Sequence, residues 1–145
     1  MSSSKLTLVQ REDAVVIYWH EQHGYFLSDW QPVFKKGVDL KRAYQACLDA
    51  ARTRRGAPWL ADASQLVVMD GADIAWIEDW FWPEFVKAGA RYEAAVVPAK
   101  EVSKMSANRS VERVIASGRF AITTHATRTE AEVAVLAWLE KNARR

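Results

Sequence analysis

Residues 58–85, PWLADASQLVVMDGADIAWIEDWFWPEF, decide the fold of this chain. The stretch opens with the mostly apolar run Pro58-Trp59-Leu60-Ala61, which predicts a short buried strand. A loop rich in Asp, Ser and Gly follows, and the loop leads into a helix that carries many aromatic residues. We expect any ligand or partner site to lie at this strand-to-helix loop.

Three strands are predicted before this stretch. They cover Lys5–Arg11, Ala14–Trp19 and Tyr25–Gln31, where apolar alternation or β-branched and aromatic residues are typical of strands. Short turns join them, so they form an antiparallel meander. A helix from Leu40 comes next, with Asp39 as its N-cap and Gly56 as its stop. Its predicted buried face consists of Leu40, Ala43, Tyr44, Cys47, Leu48 and Ala51.

Alternating helices and strands follow the meander. The aromatic helix is predicted over Asp73–Ala88, capped by Asp70 or Asp73, with Pro83 kinking it or ending it early. Its inner stripe would be Ile74, Ile77, Phe81 and Phe85. The later elements are a strand at Ala94–Val97, a helix at Ser110–Ser117, a strand at Phe120–Thr124 and a last helix with a capping box of Thr129 and Glu132.

This order predicts an α/β fold: a mixed β-sheet with an antiparallel N-terminal meander and helices packed against it. Right-handed crossovers would bring the strands near Leu60, Val96 and Ile122 side by side. The length of 145 residues suits a single domain, residues 1–145.

Composition excludes several classes of protein. A net charge of +2 gives no reason to expect nucleic acid as the partner. No apolar run approaches the ~20 residues of a membrane span, and the N-terminus has no signal-peptide core. The single Cys47 rules out an internal disulfide and fits a reducing compartment. We therefore expect a cytoplasmic protein.

Short motifs in their order and spacing resemble the STAS domain, and more closely the small bacterial SpoIIAA-like proteins, which share features with lipid-binding CRAL-TRIO domains. The likeness covers the chain from about Leu40 onward. The motifs that carry it are Trp59-Leu60-Ala61-Asp62, Trp76, Trp80-Phe81-Trp82-Pro83, Gly89, Ala94-Ala95-Val96-Val97-Pro98 and Trp138-Leu139. The resemblance implies a STAS/SpoIIAA-like fold and a regulatory or ligand-binding role.

The phosphoacceptor of the antagonist STAS proteins has no counterpart here. Those proteins carry a pattern like DLSxVxFIDSSGL, and the comparable stretch in this chain is residues 62–74. Gly71-Ala72 stands where the family has its serine pair, so neither position can be phosphorylated. Ser64 is the only hydroxyl residue between Asp62 and Asp73.

The loop residues Asp62, Ser64, Asp70, Gly71, Ala72 and Asp73 form the candidate ligand or partner-binding loop. A loop that enters a helix offers free amide groups to an anion. However, Asp70 and Asp73 would repel an anion, and they also serve as caps. Capping and anion binding are both open readings.

Trp76, Trp80 and Trp82 point away from the predicted stripe of the aromatic helix and form a candidate apolar groove or interface. Three readings are open: Trp76 and Trp80 fold over the sheet edge or neighbouring loops, the tryptophans contact a second copy in a homodimer, or they line an apolar ligand.

No catalytic residue, cofactor or metal site is predicted. His20 and His23 have the spacing of a metal pair but lack a third ligand nearby. There is no GxSxG elbow, P-loop or GxGxxG.

Three hypotheses of function remain: a non-catalytic regulatory or ligand-binding module, a carrier or sensor of an apolar small molecule with a cavity between the sheet and residues 74–85, and an enzyme using Asp62, Ser64 and Asp70. The expected partners are a second copy, a small apolar ligand or a regulatory protein.

Overall fold

The computed structural model describes residues 5–31, 38–65, 75–96 and 120–143. A π-helical turn, Ile77–Phe81, leads directly into the second helix. Within the described residues the strands are β1 Leu6–Arg11, β2 Val15–His20, β3 Tyr25–Trp30, β4 Trp59–Asp62, β5 Tyr92–Val96 and β6 Ala121–His125, and the helices are α1 Val38–Thr53, α2 Trp82–Lys87 and α3 Arg128–Ala143.

The strands form one mixed sheet in the order β1-β2-β3-β4-β5-β6. β1, β2 and β3 pair antiparallel, whereas β3, β4, β5 and β6 pair parallel. The predicted meander and the predicted neighbourhood of the strands at Leu60, Val96 and Ile122 are both confirmed. The α/β class is confirmed as well, and the predicted strand ends lie within two residues of those observed.

Helices cover both faces of the sheet. On one face, α1 and α2 bury an aromatic cluster in which Phe26 stacks on Trp59 with ring centroids 4.5 Å apart, and Phe85 meets Trp59 edge-on at 5.4 Å. On the other face, α3 places Ala131 and Val135 against a second cluster from β3, β4 and β5. Because both faces are covered, the central strands read as nearly continuous apolar runs.

Two helix starts differ from the prediction. α1 begins at Val38, so Asp39 lies in its first turn and not before it. α3 begins at Arg128, and its cap is Thr127, whose Oγ1 accepts the Glu130 amide at 3.1 Å. Glu130 in turn accepts the Ala126 amide at 3.2 Å. The capping box is therefore two residues earlier than predicted.

The aromatic helix also corrects an expectation. Trp82 is only 5% exposed and belongs to the core with Phe81 and Phe85. The prediction measured its direction from Phe81, 100° away on a helix, but Trp82 is only 60° from Phe85 on the same helical wheel. Pro83 sits at the start of α2, directly after the π-helical turn, where its missing amide costs little. The side chains of Ile74 and Ile77 and the predicted helix at Ser110–Ser117 lie outside what the structure describes.

One carboxyl group lies on the aromatic face of the sheet. Glu93 of β5 has Trp59 and Ile122 as its register partners and is half-buried. Burial raises its pKa to about 8. Burial also raises the pKa of the Cys47 thiol, and the nearby Glu93 carboxyl adds to that rise.

The Trp59→Ala variant is expected to lose about 3–5 kcal/mol of unfolding free energy, because Trp59 is 1% exposed and contacts two aromatic rings. His23→Ala removes an exposed ring and should stay within about ±0.5 kcal/mol of the native chain. Urea denaturation midpoints measure both. Equal midpoints for the two variants would mean that the aromatic face does not hold the fold together.

Glu93→Gln should change the pH dependence of stability. The folded chain holds the Glu93 proton up to about pH 8, whereas the unfolded chain releases it near its ordinary pKa of 4.5. The native chain therefore loses stability relative to the variant as pH rises from 4.5 to 8, by up to about 1.4 kcal/mol per pH unit. Urea denaturation of both chains at pH 5, 6.5 and 8 isolates this difference. A difference that does not change with pH would contradict the raised pKa of Glu93.

Candidate functional site

The predicted loop begins at the carboxyl end of β4. Asp62 closes the strand, and its Oδ1 accepts both the Ser64 amide at 3.1 Å and the Ser64 hydroxyl at 2.6 Å. This local pattern is a turn in which an Asp side chain caps the backbone that follows it. The other loop residues of the prediction, Asp70, Gly71, Ala72 and Asp73, lie outside the described residues.

Arg128 joins the end of β4 to the start of α3. Its guanidinium contacts Asp62 Oδ2 through Nε at 3.0 Å and through a terminal nitrogen at 2.9 Å. The same group lies 3.4 Å from Oδ1 of Asp29, the register partner of Asp62 on β3. One cation thus holds two adjacent carboxylates.

The two carboxylates respond differently to their surroundings. Burial raises the pKa of Asp62, but hydrogen bonds from Ser64 and Arg128 outweigh burial, and its pKa is lowered. Burial raises the pKa of Asp29, and the Asp62 charge adds to that rise. Arg128 lowers the pKa of Asp29 only in part, because it lies farther from Asp29 than from Asp62. Asp62 is therefore the firmly ionised member of the pair.

A cavity of about 200 Å³ lies beside Arg128, between the meander and the first turns of α3. This is the face opposite to the one on which the sequence predicted a cavity. Its lining is mixed in character and consists of Leu6, His20, Tyr25, Leu27, Leu60, Arg128, Thr129 and Glu132.

His20 is the most unusual residue of this lining. It is 2% exposed, and its ring is stacked between His23 and Tyr25 with centroids 4.9 and 4.7 Å away. Its Nδ1 accepts the His23 backbone amide at 3.2 Å. Burial, followed by the His23 charge, lowers the pKa of His20, so the ring is neutral. Since Nδ1 is an acceptor, the proton of the neutral ring is on Nε2.

The Nε2–H group of His20 has no hydrogen-bond partner among the residues that the structure describes. A buried donor of this kind usually finds a protein group or an ordered molecule. The Nε2 atom is enclosed by protein atoms and has almost no accessible surface, so it is not open to the cavity that the residue lines.

Tyr25 and Glu132 line the cavity and bind each other. The Tyr25 hydroxyl donates to Glu132 Oε2 at 2.6 Å, across the gap between β3 and α3. Burial raises the pKa of Tyr25 far above its ordinary value, and the bond to Glu132 adds to that rise, so the hydroxyl keeps its proton.

Sequence reasoning missed this site. The residues His20, Tyr25, Arg128 and Glu132 come from β2, β3 and α3. From the sequence, His20 was considered as one of a possible metal pair and Glu132 as part of a capping box. Two sequence patterns could have indicated this site. Strand alternation puts Tyr25 and Leu27 on one face of the sheet, and Arg128 and Glu132 are four residues apart, on one face of a helix.

The predicted tryptophan groove is only partly present. Trp76 and Trp80 stack with centroids 4.9 Å apart, and Lys41 lies 5.5 Å above the Trp76 ring. Trp80 is 37% exposed, whereas Trp82 is in the core. Trp82 is therefore removed from the candidate surface, and the exposed part is reduced to the Trp76–Trp80 pair.

The described residues hold no group of three or more His, Cys, Asp or Glu side chains arranged to bind a metal. None of the helices in the described ranges is long and apolar enough to cross a membrane.

Comparison with known proteins identifies no relative. No protein-family model matches the chain, and neither a curated protein nor a solved structure matches it.

Trp80→Ser and Trp82→Ser should separate surface from core within one helical segment. Trp82→Ser empties a buried site and is expected to cost about 3–5 kcal/mol. Trp80→Ser loses mainly its stacking on Trp76, about 0.5–1.5 kcal/mol. Thermal and urea unfolding of the two variants provide the comparison. A larger loss for Trp80→Ser would contradict this assignment of the two rings.

Proposed function

We propose that this chain is a non-catalytic regulatory module of SpoIIAA-like type that binds a small ligand without using a phosphoacceptor serine. The ligand site is the cavity between the meander and α3. The observation that carries the proposal is the cavity itself, about 200 Å³ in volume and lined by apolar and charged side chains together, among them Leu27, Arg128 and Glu132.

The size of the cavity supports a small ligand. A cavity of about 150 Å³ holds one benzene ring, and drug-sized ligands need about 300 Å³ or more. At about 200 Å³ this cavity takes a molecule of roughly six to ten non-hydrogen atoms. A lipid chain is longer than that, so the cavity favours a small polar ligand over the apolar cargo of the alternative hypothesis.

The geometry around Ser64 supports binding in preference to catalysis. A serine nucleophile needs a base whose pKa lies near the working pH. The Ser64 hydroxyl donates its hydrogen bond to Asp62. The pKa of Asp62 is lowered, and its carboxylate is already bound to Arg128. Such a carboxylate fixes the turn and is a poor base.

Arg128 gives the site a route to the neighbouring loop. It lines the cavity and also binds Asp62, whose side chain caps the loop through Ser64. A ligand that shifts Arg128 would change the contacts that hold the start of the loop. A regulatory partner that binds the two loop arrangements with different affinity would then respond to the ligand.

The proposal includes a homodimer with Trp80 at the contact, because Trp80 is a large exposed ring held rigid by Trp76. Light scattering on the native chain and on the Trp80→Ser variant tests it: a native dimer that becomes a folded monomer supports the contact, and a native monomer or an unchanged mass rejects it.

Blocking the cavity should abolish ligand binding. Thr129 lines the cavity near the start of α3, so Thr129→Phe places a ring at its wall. Val133 is one helical turn further along, is 64% exposed and is absent from the lining, so Val133→Phe is the matched control. The probes are neutral and charged fragments of six to ten non-hydrogen atoms, and the measurement is saturation-transfer NMR.

We expect fragments to bind the native chain and Val133→Phe and to lose binding in Thr129→Phe. If no fragment binds the native chain at millimolar concentration, or if Thr129→Phe binds as the native chain does, the proposed site is wrong. Melting temperatures of both variants show that each is folded.

A further inference from the structure

A shallow concavity of about 500 Å³ lies at the amino-terminal ends of β4 and β5. The loop after α1 and the loop after α2 form it, so it lies at the end of the parallel strands opposite to Asp62 and Arg128. It shares no lining residue with the cavity beside Arg128. It is lined by Arg55, Gly56, Val86, Lys87, Gly89, Ala90 and Arg91.

The charged side chains of this lining are all cations. Arg55, Lys87 and Arg91 are exposed and come from three segments: the loop after α1, the last residue of α2 and the residue before β5. Among the described residues, no Asp or Glu belongs to the lining. A concave surface lined by charges of one sign concentrates its electric field and attracts ions of the opposite sign. This surface therefore favours an anion.

Each cation keeps hydrogen-bond donors for a ligand. Arg55 donates through one terminal nitrogen to the Lys87 carbonyl at 3.1 Å, and a guanidinium has five N–H donors. Lys87 Nζ lies 3.3 Å from Glu84 Oε2, and that contact uses one of its three donors. The Arg91 guanidinium lies 5.7 Å from the ring centroid of Trp138, and a contact with a ring face leaves the in-plane N–H donors unused.

The nearby negative charges do not cancel these cations. Glu84 pairs with Lys87 in an exposed contact, and such pairs are weak. The carboxyl ends of α1 and α2 lie beside the concavity, but a helix end carries only about half a negative charge. Arg54, whose guanidinium lies 4.1 Å from the ring centroid of Trp19, adds a further positive charge next to Arg55. The site therefore keeps a positive surplus.

Backbone contacts fix the shape of the concavity. The Gly56 amide donates to the Gly89 carbonyl at 2.9 Å, and this bond ties the two loops together. A Cβ on Gly89 would lie 2.9 Å from the Arg55 Cβ, so glycine is needed for the loops to approach this closely. A Cβ on Gly56 would meet no atom within 4 Å. Gly56 therefore borders the open space of the concavity, and the cations around it are attached to a fixed backbone.

The size of the concavity favours a soluble ligand with more than one anionic group. Small-molecule sites occupy about 300–1,000 Å³, and this concavity lies within that range and is well above the size of a single phosphate. The large exposed apolar side chains of the described residues are Leu8, Val9, Trp80 and Val133, and none of them lines the concavity. A lipid surface would therefore gain no apolar insertion here.

We propose that this concavity is a second binding site, for a soluble small molecule with a diphosphate group that Arg55, Lys87 and Arg91 contact. A terminal phosphate offers three acceptor oxygens and close to two negative charges, and arginine binds such oxygens in pairs. A carboxylate offers less charge and fewer acceptors, so phosphate is the better match to three cations. This inference goes beyond the proposed function and does not depend on it.

Four probes test the ligand class on the native chain. Pyrophosphate carries the diphosphate group, orthophosphate a single phosphate and malonate two carboxylates, whereas vesicles of phosphatidylcholine and phosphatidic acid present phosphate on a lipid. In ¹H–¹⁵N NMR titrations at about 0.15 M salt, pyrophosphate should shift the amide signals of Gly56, Gly89 and Arg91. It should bind at least about fivefold more tightly than each of the other two anions. The chain should not cosediment with the vesicles.

Gly56→Asp and Gly56→Asn form a matched pair that differs only in charge. Gly56 has a φ of 88°, a conformation that Asn and Asp tolerate better than other side chains do. We expect pyrophosphate to bind Gly56→Asp at least about fivefold more weakly than Gly56→Asn, because only the aspartate repels it. Melting temperatures show that both variants are folded. Equal affinities for the pair would overturn the proposal.

Arg91→Gln removes one cation of the lining, and Arg42→Gln removes an exposed cation about three turns before the end of α1. Arg91→Gln should weaken pyrophosphate binding at least about fivefold, since it removes a charged hydrogen-bond donor. Arg42→Gln should weaken it by less than about twofold, because salt screens charges at that distance.

The Thr129→Phe variant should bind pyrophosphate as the native chain does, and this separates the concavity from the cavity beside Arg128. Four other results would overturn the diphosphate inference: no shift with pyrophosphate at millimolar concentration, equal losses in the two arginine variants, tighter binding of malonate, or cosedimentation with the vesicles. The fragment experiment on the cavity beside Arg128 keeps its own outcome in every case.

Discussion

The parallel pairing of β3 with β4 is the constraint on which the rest of the structure depends. It converts an antiparallel meander into a parallel sheet, and its register places Asp29 directly beside Asp62. Two adjacent carboxylates repel each other unless a cation lies between them. Arg128 supplies that cation from the first position of α3. The start of the helix is thereby fixed over the carboxyl end of β3 and β4.

The position of α3 explains where the cavity lies on its face of the sheet. α3 packs over β4, β5 and β6, so its first turns lie beside the meander, where the described part of the chain contributes no second helix. On the opposite face, α1 and α2 bring large rings that interlock with Phe26 and Trp59. The meander side of the α3 face instead carries the buried rings of His20 and Tyr25, and the Tyr25 hydroxyl is bonded to Glu132 of α3.

The lining of that cavity combines apolar and charged side chains. Leu27 and Leu60 are buried core residues, whereas Arg128 and Glu132 bring charges from the first turns of α3. Rigid presentation of a few polar groups in a mostly apolar pocket is the usual basis of small-molecule specificity. Because Arg128 belongs both to the pocket and to the carboxylate pair, occupancy of the pocket and the state of the adjacent loop are coupled in this proposal.

The sequence by itself determined the strand order, the α/β class and the aromatic core, because strand and helix periodicities are local properties of the chain. Trp59 was correctly placed in the core from its position in a short apolar run.

The tertiary structure decided the start of α3 and the position of the cavity. Residues 127–132, TRTEAE, contain two overlapping Thr-x-x-Glu capping boxes, Thr127 with Glu130 and Thr129 with Glu132, and local rules do not choose between them. The fold selects the first box, since Asp29 and Asp62 hold Arg128 at the helix start and Tyr25 binds Glu132. The cavity exists only because residues about a hundred positions apart meet in that register, and no local pattern contains this information.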